Sequence, residues 1–117
     1  MTKIVLVTGG FDPLHSGHIA YFEAARELGD ELWVGLNSDD WLARKKGRSF
    51  MPWSERASIV KNLSMVDRVI RFRDADDTAS DAIHKALSVG ADSIVFANGG
   101  DRGADNTPEQ LAYGSMP

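Results

Sequence analysis

Apolar positions along this chain change period several times, and each change marks an element. Residues 3–8 carry the nearly unbroken run Ile4-Val5-Leu6-Val7, the pattern of a parallel strand buried on both faces. From Gly17 the spacing turns helical through Ile19, Phe22, Ala25 and Leu28, and Gly29 is placed to end that helix in a left-handed conformation. Residues 31–36 read as a second strand. Asn37-Ser38-Asp39-Asp40 offers several helix caps before the short helix Trp41-Leu42-Ala43. A basic stretch, Arg44-Lys45-Lys46-Gly47-Arg48, leads into a loop closed by Pro52. Ser54 then predicts a capped helix with Ile59, Val60 and Leu63 as its buried stripe.

Residues 66–72 predict a third strand, with charges at alternate sites that place it at a more exposed position. Thr78 predicts the cap of a helix reaching about Ser88, with Asp81 as an imperfect capping-box partner, Ile83 and Leu87 inward and Gly90 as the stop. Residues 93–97 form a fourth strand that enters the turn Asn98-Gly99-Gly100-Asp101-Arg102-Gly103, and Thr107-Pro108 opens a last helix. The order β-α-β-α-α-β-α-β-α implies an α/β fold, a doubly wound parallel sheet in three α/β/α layers. Ligands of such sheets sit beyond the carboxyl ends of the strands, where the first and fourth strands both enter glycine turns.

Composition narrows the function. The 117 residues suffice for one domain, 1–117, and not for two ordinary ones. A formal net charge of -4 argues against a broad grip on nucleic acid, though a local basic cluster still suits a small anion. The absence of cysteine excludes disulfides, thiolate metal sites and cysteine nucleophiles. No apolar run approaches a membrane span, so no membrane partner and a cytoplasmic setting are expected.

The candidate chemistry gathers in the first turn, Thr8-Gly9-Gly10-Phe11-Asp12-Pro13-Leu14-His15-Ser16-Gly17-His18. A strand feeding a helix through glycines suits a phosphate, because helix N-termini present unpaired N–H groups and partial positive charge. These residues resemble the F-D-x-x-H-x-G-H signature of the cytidylyltransferase-like nucleotidyltransferases. Asn37-Ser38-Asp39, Lys46-Gly47, Arg56 and Gly99-Gly100-Asp101 follow in that family's order. Within it, the chain looks most like glycerol-3-phosphate cytidylyltransferases and the adenylyltransferase that makes nucleotide-activated heptose.

The resemblance implies a Rossmann-like fold and a Mg²⁺-dependent transfer of a nucleotide to a phosphorylated small molecule, with release of pyrophosphate. The attacking phosphate is already an anion, so positioning and positive charge supply most of the catalysis. His15, His18 and Lys46 are implied as the catalytic set, the histidines on the triphosphate and Lys46 as a second cationic clamp on a mobile loop. Gly9, Gly10, Phe11, Asp12, Gly17, Gly99, Gly100, Asp101 and Arg102 are implied in nucleotide binding, with Gly17 leaving room where the nucleotide lies close. Asp12 is the one candidate for Mg²⁺ contact. Arg56, Asn37 and Asp39 are implied on the acceptor side. His84, mid-helix and outside any motif, reads as non-functional, and Trp33, Trp41 and Trp53 as packing residues, with Trp53 a possible flank of the acceptor.

The expected reaction moves CMP from CTP to a phosphorylated polyol or sugar. An ATP-dependent adenylyltransferase acting on a sugar phosphate or cofactor precursor is the alternative enzyme, and a weakly catalytic nucleotide-binding module the non-enzymatic one. The family's Ser/Thr-rich segment opening a final helix has no counterpart before Ser115-Met116-Pro117, which leads to the expectation of a C-terminally truncated domain. A homodimer is expected from resemblance alone.

Overall fold

Strand β1 (Lys3–Gly9) lies inside a four-stranded parallel sheet with β2 (Glu31–Leu36), β3 (Arg68–Arg71) and β4 (Ser93–Phe96). The computed structural model describes residues 2–91 and 93–97. Helices α1 (Ser16–Arg26), α2 (Asp39–Lys46), α3 (Trp53–Lys61) and α4 (Ser80–Ser88) occupy the connections. The last expected helix and the turn holding Gly99, Gly100, Asp101 and Arg102 lie outside the described residues.

The run that opens the sequence explains the layering. Successive side chains of a strand point to opposite faces. Val5 and Val7 therefore join Phe22 and Ala25 of α1 and Ala57 and Val60 of α3 in one core, together with Leu32, Val34 and Leu36 of β2. Ile4 and Leu6 join Trp33, Ile70, Ile94 and the α4 residues Ala82, Ile83 and Ala86 in the other. The four β1 side chains are at most 2% exposed. Burying each is worth roughly 1.5–3 kcal/mol, so this one strand anchors both cores.

Strand order is β3-β2-β1-β4. The chain thus walks outward from β1 to β2 to β3, then returns through α4 to the far side of β1. Register runs from Ile4 opposite Glu31 to Gly9 opposite Leu36 on one side, and from Lys3 opposite Ser93 to Leu6 opposite Phe96 on the other. The direction reverses between β1 and β4, and the crevice beyond the carboxyl ends at such a reversal is where open α/β sheets take ligands. The histidine turn leaves β1 at that end. Tyr21 of α1 donates its hydroxyl to the carbonyl of Ala97 at 3.0 Å, tying the first helix to the exit of β4. Burial pushes the Tyr21 hydroxyl far above its ordinary pKa, so it stays a donor.

Several local expectations are corrected. Helix α1 ends at Arg26 with Glu27 as a right-handed cap residue, leaving Leu28 53% exposed. Gly29 does not take a positive φ. Its missing side chain serves a close approach instead, since a Cβ there would lie 2.8 Å from the carbonyl oxygen of Lys3. Helix α3 starts after Pro52, and Ser54 does not cap it. The buried face of α3 is Arg56, Ala57 and Val60, with Ile59 turned out. Strand β3 is shorter than 66–72, although Val66 and Phe72 at its ends are buried, and it forms the sheet edge its alternating charges suggest. Thr78 precedes the N-cap position of α4, held by Ala79, while the Asp81 carboxylate accepts from the Arg73 amide at 2.7 Å. Leu87, expected inward, is exposed on α4.

Candidate active site

The turn after β1 is built around Phe11, a non-glycine residue at φ 49 with 8% of its surface exposed. Its ring lies where a Cβ on Gly9 would be, 2.9 Å from that position. It also packs edge-on against Phe22 at 4.9 Å and against His18 at 5.0 Å between centroids. Burying the phenyl ring thus fixes the backbone that must deliver the two histidines. The following Asp12-Pro13 bond is cis.

His15 is the N-cap residue of α1, and the two histidines cap each other. The Gly17 amide donates to His15 Nδ1 at 3.1 Å, and the His15 amide donates to His18 Nδ1 at 3.2 Å. The rings stack with centroids 3.9 Å apart and 27° between planes. A ring nitrogen that accepts from an amide carries no proton, so in the neutral imidazole the proton sits on Nε2, the opposite edge. Both residues line an open cleft of ≈ 580 Å³, along with Gly10, Asp12, Trp41 and Lys46. Burial, then the neighbouring His15, holds the His18 pKa below the usual histidine range.

This arrangement changes how an anion would be gripped. The Gly17 amide is taken by His15 Nδ1, and the His18 amide donates to the His15 carbonyl at 2.9 Å. The donors this turn aims outward are therefore the two Nε2–H groups rather than those main-chain amides. Gly17 is likewise explained within the chain. A Cβ there would lie 2.9 Å from His15 Cε1, so its absence makes room for the His15 ring, where the sequence suggested room for a nucleotide.

Lys46, in the last turn of α2, reaches the turn from the other wall. Its ammonium donates to the Asp12 carbonyl at 2.6 Å and pairs with the Asp12 carboxylate at 2.9 Å. The Asp12 side chain is 0% exposed and also accepts from the amides of Phe50 and, at 2.7 Å, Met51. Burial alone would push this carboxyl up, but the Phe50 amide, Lys46 and the Met51 amide outweigh it, and its pKa falls below the ordinary value. Both carboxylate oxygens are thus engaged. Among the described residues no group of three or more His, Asp or Glu side chains is placed to hold a metal ion. Among the described residues Asp12, the one candidate for Mg²⁺ contact, is thus already engaged by Lys46 and the amides of Phe50 and Met51.

The residues expected on the acceptor side sit differently. Arg56 is 1% exposed. Its Nε donates to the Met51 carbonyl at 3.0 Å, its Nη1 to the carbonyls of Gly10 at 2.9 Å and Asn37 at 2.8 Å, and its Nη2 to Asp39 at 2.6 Å. Asn37 is buried and donates to Asp74 at 2.9 Å. These three residues brace the β1, β2 and Met51 loops from behind, so Arg56 and Asn37 do not face the cleft. Asp39, which is half-exposed, is held as the Arg56 partner. Gly10 and Phe11 line the cleft, and Gly9 lies beneath Phe11.

A second cavity of ≈ 350 Å³ lies on the opposite face of α2, between Asp40, Arg44, Trp53, Arg71, Arg73 and Lys85. The Arg71 guanidinium stacks 3.9 Å from the Trp53 ring. The sequence reading overlooked this cationic pocket. Its signal was the alternation of arginine around the third strand, which also reads as a solvated edge.

Comparison with known proteins follows the same lines. The cytidylyltransferase-like family model matches residues 6–110. The bifunctional protein HldE of Pasteurella multocida is 39% identical over 112 residues, covering 94% of this chain and 21% of that protein. The bifunctional protein HldE of Vibrio atlanticus is 36% identical over 115 residues, covering 97% of this chain and 22% of that protein. The chain therefore spans about a fifth of the length of these curated relatives. Among solved structures, the lipopolysaccharide core biosynthesis protein from Thermoplasma volcanium superposes with a TM-score of 0.67 at 29% identity, covering 81% of this chain and 74% of that one.

Proposed function

The chain belongs to the cytidylyltransferase-like family, and from that premise we propose that it transfers a nucleotidyl group, with AMP from ATP to a sugar phosphate as the reaction its relatives favour. The single observation carrying the transfer reading is the reciprocal histidine cap, which occupies both Nδ1 atoms and leaves two Nε2–H edges beside one cleft that Lys46 also lines. An acceptor phosphate oxygen attacks the α-phosphorus, a new P–O bond forms, and the bond to pyrophosphate breaks. His15 and His18 donate from Nε2 to phosphate oxygens, and Lys46 offsets the charge that builds on the leaving group. Donors fixed before the substrate arrives need no reorganisation during reaction, which is the form of stabilisation phosphoryl chemistry rewards most.

The choice of ATP reverses the order in which the sequence set the donors. Resemblance left both a cytidylyltransferase and a heptose-activating adenylyltransferase open. The HldE relatives and the lipopolysaccharide core biosynthesis protein support the sugar-phosphate adenylyltransferase. We assign Arg56, Asn37 and Asp39 to positioning, behind the turns rather than on the acceptor. Mg²⁺ would arrive on the nucleotide's phosphates and offset their charge, Asp12 being already engaged by Lys46 and the amides of Phe50 and Met51.

Pyrophosphate release tests this reading, with ATP and CTP each paired against sugar phosphates and glycerol phosphate. Turnover with ATP and a sugar phosphate is expected. Turnover restricted to CTP would return the cytidylyl reading, and triphosphate binding without turnover would favour a binding module.

A further inference from the structure

The buried carboxylate of Asp12 sits at the centre of an arrangement that the transfer chemistry does not itself require. Residues 47–52 connect α2 to α3 and carry Phe50, 69% exposed, so little apolar packing by that side chain holds this strap down. What holds it are two main-chain amides, Phe50 and Met51, both donating to Asp12 from 38 and 39 residues away. Arg56 adds a third tie through the Met51 carbonyl at 3.0 Å. Lys46, just before the strap, is drawn to the same carboxylate and to the Asp12 carbonyl. An ammonium has three donors, and these two interactions fix its position while one donor remains to point at a ligand.

We infer that Asp12 is a positioning residue, a clasp that fastens the 47–52 strap to the histidine turn and thereby sets Lys46 at the mouth of the cleft. The inference rests on the nucleotidyl-transfer reading for its purpose, and on the hydrogen bonds above for its geometry. Two rival roles for a carboxylate here make opposite demands. A metal ligand would need an oxygen free of Lys46 and the strap amides. A carboxylate that merely neutralised Lys46 would weaken triphosphate binding, and its removal would strengthen it. A clasp predicts the reverse, because removing the charge from this buried acceptor weakens every hydrogen bond it receives and releases the strap and the lysine together.

The experiment uses the whole chain and four forms: wild type, Asp12→Asn, Lys46→Met and the double variant. Hydrogen exchange at the Phe50 and Met51 amides is read without ligand, and ATP and CTP affinity by calorimetry. In Asp12→Asn, both amides should exchange about 10- to 100-fold faster, and triphosphate affinity should fall by about the same factor as in Lys46→Met. The double variant should bind no worse than the weaker single variant, since both changes disable the same lysine. In Lys46→Met the two amides should keep wild-type protection, which tests the clasp even where Asp12→Asn folds poorly. Unchanged or tighter triphosphate binding by Asp12→Asn would overturn the proposal. So would a fully additive double variant, or a higher Mg²⁺ requirement confined to the Asp12 change. A wild-type protein that binds neither triphosphate would instead sink the transfer reading, while amide exchange still decides the clasp.

Discussion

The His15 amide donates a hydrogen bond to Nδ1 of His18, 3.2 Å away, while the two rings stack. The helix cap and the candidate catalytic donors are therefore the same pair of side chains, and their two duties use opposite ring edges. Substitution can separate them. Asparagine places an acceptor near the Nδ1 position and nothing at Nε2. His18→Asn should keep stability within about 0.5 kcal/mol while lowering kcat/KM by at least ~10²-fold. His18→Ala should lose the activity and also about 1 kcal/mol of stability with the cap. Urea unfolding beside pyrophosphate release measures both, and wild-type turnover by His18→Asn would remove the ring's outer edge from the mechanism.

The same cap fixes a pH response. Folding holds the His18 pKa below its ordinary 6.5, through burial first and the His15 neighbour second. The unfolded chain then binds more protons than the folded one just below that value. Stability should consequently rise with pH through the window between the lowered folded pKa and about 6.5, and its contribution is lost as the medium acidifies. Denaturant titrations from about pH 5 to 7 should show this slope, and His18→Asn should flatten it. Proton NMR of the imidazole ring gives the midpoint directly; one at or above 6.5 contradicts the expectation.

Gly17 offers a change that sets helix propensity against the position of the His15 ring. Alanine is a better helix former than glycine by up to about 1 kcal/mol, and Gly17 lies in the first turn of α1. The added Cβ would meet His15 Cε1 at 2.9 Å and push the ring off its stacked position. Because the displaced ring also gives up the Gly17 amide, Gly17→Ala should leave the melting temperature unchanged or lower, with kcat/KM at least ~10-fold lower. Full activity would show that the His15 ring position is not required.

Arg56 should behave as a structural charge. Alanine there leaves three carbonyls without their donor and the half-exposed Asp39 carboxylate without its pair, a loss of about 1–3 kcal/mol for each buried acceptor left unsatisfied. Arg56→Lys keeps the charge but cannot span four acceptors, so an intermediate loss is expected. Equilibrium unfolding checks the order Arg, Lys, Ala. Normal stability with weakened acceptor affinity would return Arg56 to the acceptor side.

Legibility in the sequence followed the range of the interaction. The β1 run and the histidine motif are local patterns, and both appear where the residues placed them. Arg56 and Asp12 look like site residues from the sequence, yet their partners stand up to 46 and 39 residues away and meet only in the folded chain. Ile59 fits a helical stripe, but the buried face of α3 is set by where the Arg56 guanidinium finds carbonyls. Gly29 matched a left-handed stop because the sequence cannot show that Lys3 passes overhead. The Nε2–H form of the histidines was equally hidden, since it depends on which amide each ring faces.

The Phe11 ring touches Phe22 of the core on one side and His18 on the other. Core and chemistry are thus one handshake apart. Drift in a core residue that only packs is screened by folding alone and stays silent above a stability threshold. At Phe22 it is screened twice, because a void that folding tolerates still tilts Phe11 and, through it, the imidazole beside the cleft. Variation in this corner of the core should be narrower than its burial alone would impose.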